Sequence, residues 1–274
     1  APQLCERIRQ ARAEGVSITA DLYPYHACST GLSSLLPKWA MDGGAPSAAK
    51  LLSRPGTQRN DVLKLFREKY PTRADGDRLY IINTGGNCPE MDGKTIGQLS
   101  EIWGIPVPEA IMDALVRTHC EAECIMFTMD QQDVLWLLGQ EDLGIGSDAS
   151  CRPFDPAASI GRPHPRTYGT FPRFLRMCRE HHLCYIETAV QRITQKPAEI
   201  VGLKDRGVLR PGYIADITVF DPSTIADTAT YDEPFQKPIG VRHVIMNGRF
   251  ALRDGVQTTA RLGHYLLKPN LYGD

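Results

Sequence analysis

The sequence lacks most of the features that would tie it to a membrane, a nucleic acid or an oxidising compartment. No apolar run approaches the roughly 18 residues that a membrane-spanning helix needs. No charged segment followed by an apolar core opens the chain, so no secretory signal is expected. Neither sign of charge dominates: 31 Lys and Arg stand against 32 Asp and Glu, a net charge of -1. Without a basic excess there is no electrostatic footprint for nucleic acid. Cysteines number eight (Cys5, Cys28, Cys88, Cys120, Cys124, Cys151, Cys178 and Cys184), yet no two form a C-x-x-C pair. Cys120 and Cys124 share a helical spacing, but no second pair completes a zinc knuckle. The expectation is reduced, mostly buried thiols in a cytoplasmic protein. Gly93-Lys94-Thr95 imitates the end of a phosphate-binding loop. The glycine that motif requires five residues earlier is Cys88, which excludes a nucleotide site of that kind. Internal repeats and low-complexity tracts are also missing.

What is present is the composition of an ordinary globular protein, 42% hydrophobic and 23% charged over 274 residues. That length suits one large domain, or one domain with a small companion. Residues 4–14 read as a helix ending at Gly15, with apolar positions 4, 5, 8 and 11. Residues 16–22 read as a strand that ends in Tyr23-Pro24-Tyr25, and 26–31 as loop. The chain is therefore expected to start partway through a βα series. Residues 32–75 look helical but interrupted by prolines and glycines. A short apolar strand at 79–83 follows, then helices near 95–102 and 108–118, the second opened by Pro108. A strand at 124–128 and a short helix at 130–139, capped by Asp130, come next.

Residues 143–148, Leu-Gly-Ile-Gly-Ser-Asp, read as a buried strand ending on a carboxylate. The loop 149–169 is long for a compact domain, which suggests function. Helices are expected at about 171–182 and 186–194, with another beginning at Pro197. After Gly207 the pattern turns to short strands at 208–212, 214–220, 241–247 and 249–252, with a two-residue hairpin turn at Asn247-Gly248. This is a small all-β unit behind an α/β body.

An acid at the carboxyl end of a buried strand, followed by a long polar loop, is what a (β/α)₈ barrel presents at its active face. Asp148 holds that position, although a helix cap or an ordinary loop carboxylate fits the same pattern. The loop carries Arg162-Pro163-His164-Pro165-Arg166. An arginine there suits bidentate capture of a substrate carboxylate; a solvated surface arginine is the commoner case. Tyr23 and Tyr25 flank a rigid proline and suit a pocket wall with hydroxyl donors, as they would suit a core. His181-His182 reads as surface, His119 and Cys120 lack a second ligand pair, and His26 reads as a structural or solvated loop residue.

Together these stretches resemble the N-acyl-D-amino-acid deacylase (D-aminoacylase) branch of the amidohydrolase superfamily. The resemblance rests on Thr19-Ala-Asp-Leu-Tyr-Pro-Tyr25, Gly146-Ser-Asp148, His164-Pro-Arg166, Tyr168-Gly-Thr-Phe-Pro-Arg173, Asp205-Arg-Gly-Val-Leu-Arg-Pro-Gly212, Ala215-Asp216 and Val244-Ile-Met-Asn-Gly248. The 205–212 run is shared across many amidohydrolases. The tyrosine pair and the 164–173 stretch are more specific to the deacylases. Two departures stand out: Ala149 where the family usually has Gly, and a longer segment between Asp148 and His164.

The resemblance implies an α/β fold: the C-terminal part of a (β/α)₈ TIM-like barrel over residues 1–206, with an insertion at about 26–125, and part of a sandwich-like β domain over 207–274. It implies hydrolysis of N-acyl-D-amino acids to a carboxylate and a D-amino acid. Asp148 would be the acid/base that takes a proton from metal-bound water and passes it to the leaving amine, and also a ligand of a second, weak metal site. Arg166 would bind the substrate α-carboxylate, helped by Tyr23, Tyr25 and His164. The cofactor implied is Zn2+, which the family holds tightly with a Cys and two His from earlier strands. Those ligands have no counterpart here, so the chain is expected to be roughly the last half to three-fifths of such an enzyme, inactive alone and completed by an N-terminal half. Its partner is a small-molecule substrate, with no nucleic acid and no membrane. The alternatives are a dihydroorotase-like or hydantoinase-like amidohydrolase, and a non-catalytic subunit.

Overall fold

The computed structural model describes residues 1–266. The chain opens with α1 (Pro2–Ala13) and β1 (Asp21–Leu22). It continues through β2 (Cys28–Gly31), α2 (Gly44–Ser53), α3 (Thr57–Lys69), α4 (Arg73–Asp77), β3 (Leu79–Asn83), α5 (Ile96–Trp103), α6 (Val107–Arg117) and β4 (Glu123–Met126). After α7 (Gln131–Leu138) and β5 (Gly144–Ile145) come three helices: α8 (Arg166–His181), α9 (Ile186–Ile193) and α10 (Gln195–Val201). The strands β6 (Ile217–Phe220), β7 (Val241–Met246), β8 (Arg249–Arg253) and β9 (Val256–Gln257) complete it. These elements sort into two compact units. One holds residues 1–24, 131–150 and 165–266, the other residues 25–130 and 151–164. The last residues of the 207–274 segment, 267–274, lie outside the described ones.

The second unit is a helical layer on a three-stranded antiparallel sheet of order β2-β4-β3. β3 is buried at Leu79, Tyr80, Ile81 and Ile82, which accounts for a strand that reads as an unbroken apolar run. Phe66, Met91, Ile111 and Leu115 pack with Ile81 in its core. α5 starts on a reciprocal cap: Thr95 accepts from the Gln98 amide, and the Gln98 side chain accepts from the Thr95 amide. β2 replaces the loop expected at 26–31. Its Cys-Ser-Thr-Gly sequence has no apolar alternation, and its strand form comes from pairing with β4, Cys28 opposite Met126. Tertiary pairing overrides weak local preference here.

The first unit contains two sheets. β1 and β5 run parallel, with Asp21 beside Gly144 and Leu22 beside Ile145. The pairing extends past the ladder through Gly144 N–H to the Ala20 carbonyl, 2.8 Å, and Gly146 N–H to the Leu22 carbonyl, 3.1 Å. The strands expected at 16–22 and 143–148 therefore shrink to two residues each. Val16 and Ile18 are exposed, so nothing flanks them to prolong the ladder. α8 and α9 cover β5, with Phe174, Leu175, Met177, Ala189 and Ile145 in one core. Arg192 of α9 is fully buried there. Its guanidinium donates to the Leu138 carbonyl (2.6 Å) and the Leu143 carbonyl (3.0 Å) and lies over the Phe174 ring. A cation at the last carbonyls of α7 complements that helix's negative end and fixes the start of β5.

The second sheet is antiparallel, order β6-β7-β8-β9. Asn247 and Gly248 both adopt positive φ, 47° and 76°, between the paired Met246 and Arg249. That is the geometry a two-residue hairpin turn selects. No strand forms at 208–212, where Pro211 and Gly212 interrupt the run. Among the described residues no helix is long and apolar enough to cross a membrane.

Candidate active site

The carboxyl ends of parallel strands are where α/β proteins gather chemistry. Here β5 ends at Ile145 and β1 at Leu22. A Cβ on Gly146 would meet the Asp21 carboxylate, which would have to move aside. Two residues on, Asp148 sits in the left-handed region at φ 46°, unusual for a residue with a Cβ. Its side chain is 69% exposed, yet its Oδ2 lies 2.8 Å from Nη2 of Arg166. Arg166 is the first residue of α8, and its side chain is only 7% exposed. The guanidinium carbon stands 4.7 Å from the centre of the Tyr23 ring, immediately after β1. The structure thus brings together Asp148, Arg166 and Tyr23: a solvent-facing carboxylate, a buried guanidinium fork and an aromatic face beneath it.

Gly146→Ala tests the close approach behind this site. Overpacking against the Asp21 side chain of β1 is expected to cost about 1–3 kcal/mol, read as a lower urea midpoint with an unchanged slope. A midpoint equal to wild type would show that β1 and β5 have room there.

Further arginines anchor α8, the helix that Arg166 opens. Arg173, Arg176 and Arg179 recur every third residue on one side of α8. Arg173 donates from Nε to the Pro24 carbonyl at 2.6 Å and from Nη1 to Asp227 Oδ2 at 3.0 Å. Arg176 Nε donates to the other Asp227 oxygen at 3.0 Å. Arg179 donates to the carbonyls of Pro222 and Ile225. Asp227, whose side chain is 4% exposed, therefore clamps α8 to the segment after β6, and Arg173 ties α8 to the chain just past Tyr23. Further along that segment Phe235 packs on Tyr168, ring centres 6.2 Å apart. Between these two attachments lies Tyr231. Burial pushes its phenol up to about 12, with Tyr23 adding and the charges of Arg173 and Arg166 opposing. At neutral pH it is a protonated hydroxyl in the field of Arg166. Neither Asp227 nor Tyr231 stood out in the sequence. The only available signal was the three-residue spacing of the α8 arginines.

Tyr25 and His164 belong to the other unit, where they meet each other. Their rings stand edge to face at 5.1 Å, and His164 Nε2 lies 3.1 Å from the Ala27 carbonyl. Both are almost fully buried.

Among the described residues, no three His, Cys, Asp or Glu side chains gather where they could hold a metal ion. The carboxylate of Asp148 faces a guanidinium instead. The residues present do not fit a metal centre by themselves.

Comparison with known proteins shows which proteins the chain resembles. The chain is 33% identical over 242 residues to N-acyl-D-glutamate deacylase of Alcaligenes xylosoxydans xylosoxydans, covering 88% of this chain and 40% of that protein. It is 36% identical over 181 residues to D-aminoacylase of the same organism, covering 66% of this chain and 35% of that protein. The crystal structure of N-acyl-D-glutamate deacylase from Bordetella bronchiseptica, complexed with zinc and a phosphonate mimic of the tetrahedral intermediate, superposes with a TM-score of 0.66 at 31% identity. That match covers 90% of this chain and 42% of that one. The chain thus spans about 40% of the length of its curated relatives, over their C-terminal part. The sequence profile described as the amidohydrolase family matches residues 52–251, most of the chain, which therefore belongs to that family.

Proposed function

We propose that this chain carries the acid/base and the carboxylate-binding side of a metal-dependent enzyme that hydrolyses N-acyl-D-amino acids to a carboxylate and a free D-amino acid. The single observation that carries the reading is the contact of Asp148 with Arg166 over the Tyr23 ring at the ends of β1 and β5. The names of the relatives support the substrate class.

The roles follow from the chemistry of each group. An exposed carboxylate is free to take a proton from the attacking water and return it to the departing nitrogen. Arg166 is charged at any physiological pH, and its planar fork matches a carboxylate bidentately. Asp148 touches one nitrogen of that fork, at 2.8 Å. The substrate α-carboxylate takes the same place and leaves Asp148 facing the reacting amide. Tyr23 holds the guanidinium plane, while Tyr25 and His164, also expected at the substrate, pack on each other in the other unit. The Bordetella bronchiseptica deacylase structure contains zinc, and a zinc ion of that kind would supply a Lewis acid. Residues 1–266 do not hold it unaided, so the proton and carboxylate chemistry is their share. We place residues 1–206 in a partial (β/α)₈ barrel with an insertion at about 26–125, and 207–274 in a small β domain. Eight unbridged thiols suit a cytoplasmic setting.

The test is a panel of N-acetyl-D- and L-amino acids, assayed on the 274-residue chain with added zinc and on the complete protein. The expected result is no turnover by the chain alone and D-selective hydrolysis by the complete protein. Zinc-dependent hydrolysis by the chain alone would refute the division of labour. L-selectivity, or inertness of the complete protein towards every member, would refute the reaction.

A further inference from the structure

We propose that Cys178 and Cys184 form a redox-active dithiol, a site where a low-molecular-weight disulfide such as oxidised glutathione is exchanged for an intramolecular disulfide. The proposal is independent of the hydrolytic reading.

The two residues are six apart in sequence, so helical periodicity would not bring them together. The end of α8 does. His182 takes the left-handed conformation at φ 52°, and its N–H returns to the Cys178 carbonyl. The Leu183 N–H reaches the same carbonyl at 3.3 Å. This reversal, common at helix ends, folds the chain back over the last turn. It leaves the sulfur atoms 3.6 Å apart, one thiol donating to the other. Closing to a bond of about 2.05 Å brings the two sulfurs nearer by roughly 1.5 Å.

The surroundings set the order of events. Cys184 is half-buried and Cys178 buried. Burial pushes the Cys178 thiol up, Cys184 adds to this, and the buried Arg192 charge opposes it. Cys184 is therefore the attacking thiol and Cys178 the resolving one. The Cys184 thiolate attacks one sulfur of glutathione disulfide; that S–S bond breaks and one glutathione leaves as a thiol. The Cys178 sulfur then gives up its proton and attacks Cys184 Sγ in the mixed disulfide, expelling the second glutathione. Two protein thiols and one glutathione disulfide become one protein disulfide and two glutathione thiols. The bond staples the last turn of α8, whose first residue is Arg166, to the residue that leads into α9, which carries Arg192.

The experiment uses the reduced 274-residue chain, equilibrated with glutathione disulfide, alkylated and digested with trypsin. Cleavage after Arg176, Arg179 and Arg192 puts Cys178 and Cys184 on separate peptides. The expected product is that peptide pair linked, two hydrogens lighter, with a higher melting temperature for the oxidised chain. Cys184→Ser is expected to abolish the linked pair, and Cys178→Ser to stop at a glutathione adduct on Cys184. Full alkylation of both thiols in the wild-type chain would overturn the proposal. So would linkage of either to another cysteine, or an equal Cys184 adduct in wild type and Cys178→Ser. The wild-type digest decides the matter even where a variant folds poorly.

Discussion

Asp148→Asn in the complete enzyme is expected to lower kcat for an N-acyl-D-amino acid by about 10³-fold, the scale of a positioned acid/base, with KM little changed. Asparagine keeps the shape of Asp148 and still offers an oxygen to Arg166 Nη2, so the 2.8 Å contact has a partner. What it loses is the capacity to hold a proton. An interaction made only in the transition state lowers kcat and kcat/KM together. Arg166→Ala is expected to behave differently. It removes the charge-assisted grip on the substrate carboxylate, worth about 1.5–3 kcal/mol, and so raises KM by roughly one to two decades. Steady-state kinetics on both variants separates the roles. A kcat for Asp148→Asn within tenfold of wild type would remove Asp148 from the chemistry. A KM increase in both variants alike would make the ion pair a single binding element.

Elements whose local pattern and tertiary environment agree were legible in advance. β3 is buried along its length and reads as an unbroken apolar run. The β7–β8 turn needs two residues at positive φ, and Asn-Gly supplies them. α6 begins beside Pro108 because a first-turn proline loses no hydrogen bond. α8 shows the opposite case. Its expected start was 171, but the helix begins at Arg166 and carries Pro172 inside it. A proline after six helical residues brings no backbone N–H of its own to the helix, so the sequence reads as loop. The clamp across Asp227 compensates by holding the helix from outside.

That Asp148, Arg166 and Tyr23 stand together follows from signals of the same local kind. Asp148 is found from a local pattern, a carboxylate closing an apolar strand, and Arg166 from the order of motifs around it. Tyr23 follows because it ends the neighbouring strand. Asp227 lies 54 residues from Arg173, in a stretch with no periodicity of its own. Nothing local distinguishes its carboxylate from those of the exposed Asp232 or Glu233. Its importance comes from burial between two arginines, which only the fold creates. The strand β2 is hidden on the same ground: its partner lies about a hundred residues away, by the pairing of Cys28 with Met126.

Asp227→Ala is expected to have the largest effect on stability, a loss of about 3–5 kcal/mol, because removing one partner of a buried ion network strands the others. Each carboxylate oxygen accepts from a different arginine at 3.0 Å, and no bulk water replaces them at a side chain 4% exposed. Two guanidinium groups would be left against α8 without their acceptor. Arg176→Ala should cost less: Asp227 keeps Arg173, and the lost partner is also bonded to Glu180 at the exposed end. Glu109→Ala is the control. It breaks the ion pair with Arg67, whose side chain is 61% exposed, and pairs of that kind contribute about 0.2–1 kcal/mol. Urea midpoints for the three variants should fall in the order Glu109→Ala, Arg176→Ala, Asp227→Ala, wild type being highest. Because Arg173 also bonds the Pro24 carbonyl, the Asp227 variant should loosen Tyr23, and hydrogen exchange at 22–26 should rise with it. A midpoint for Asp227→Ala equal to that of Glu109→Ala would mean that α8 is held by its apolar face alone.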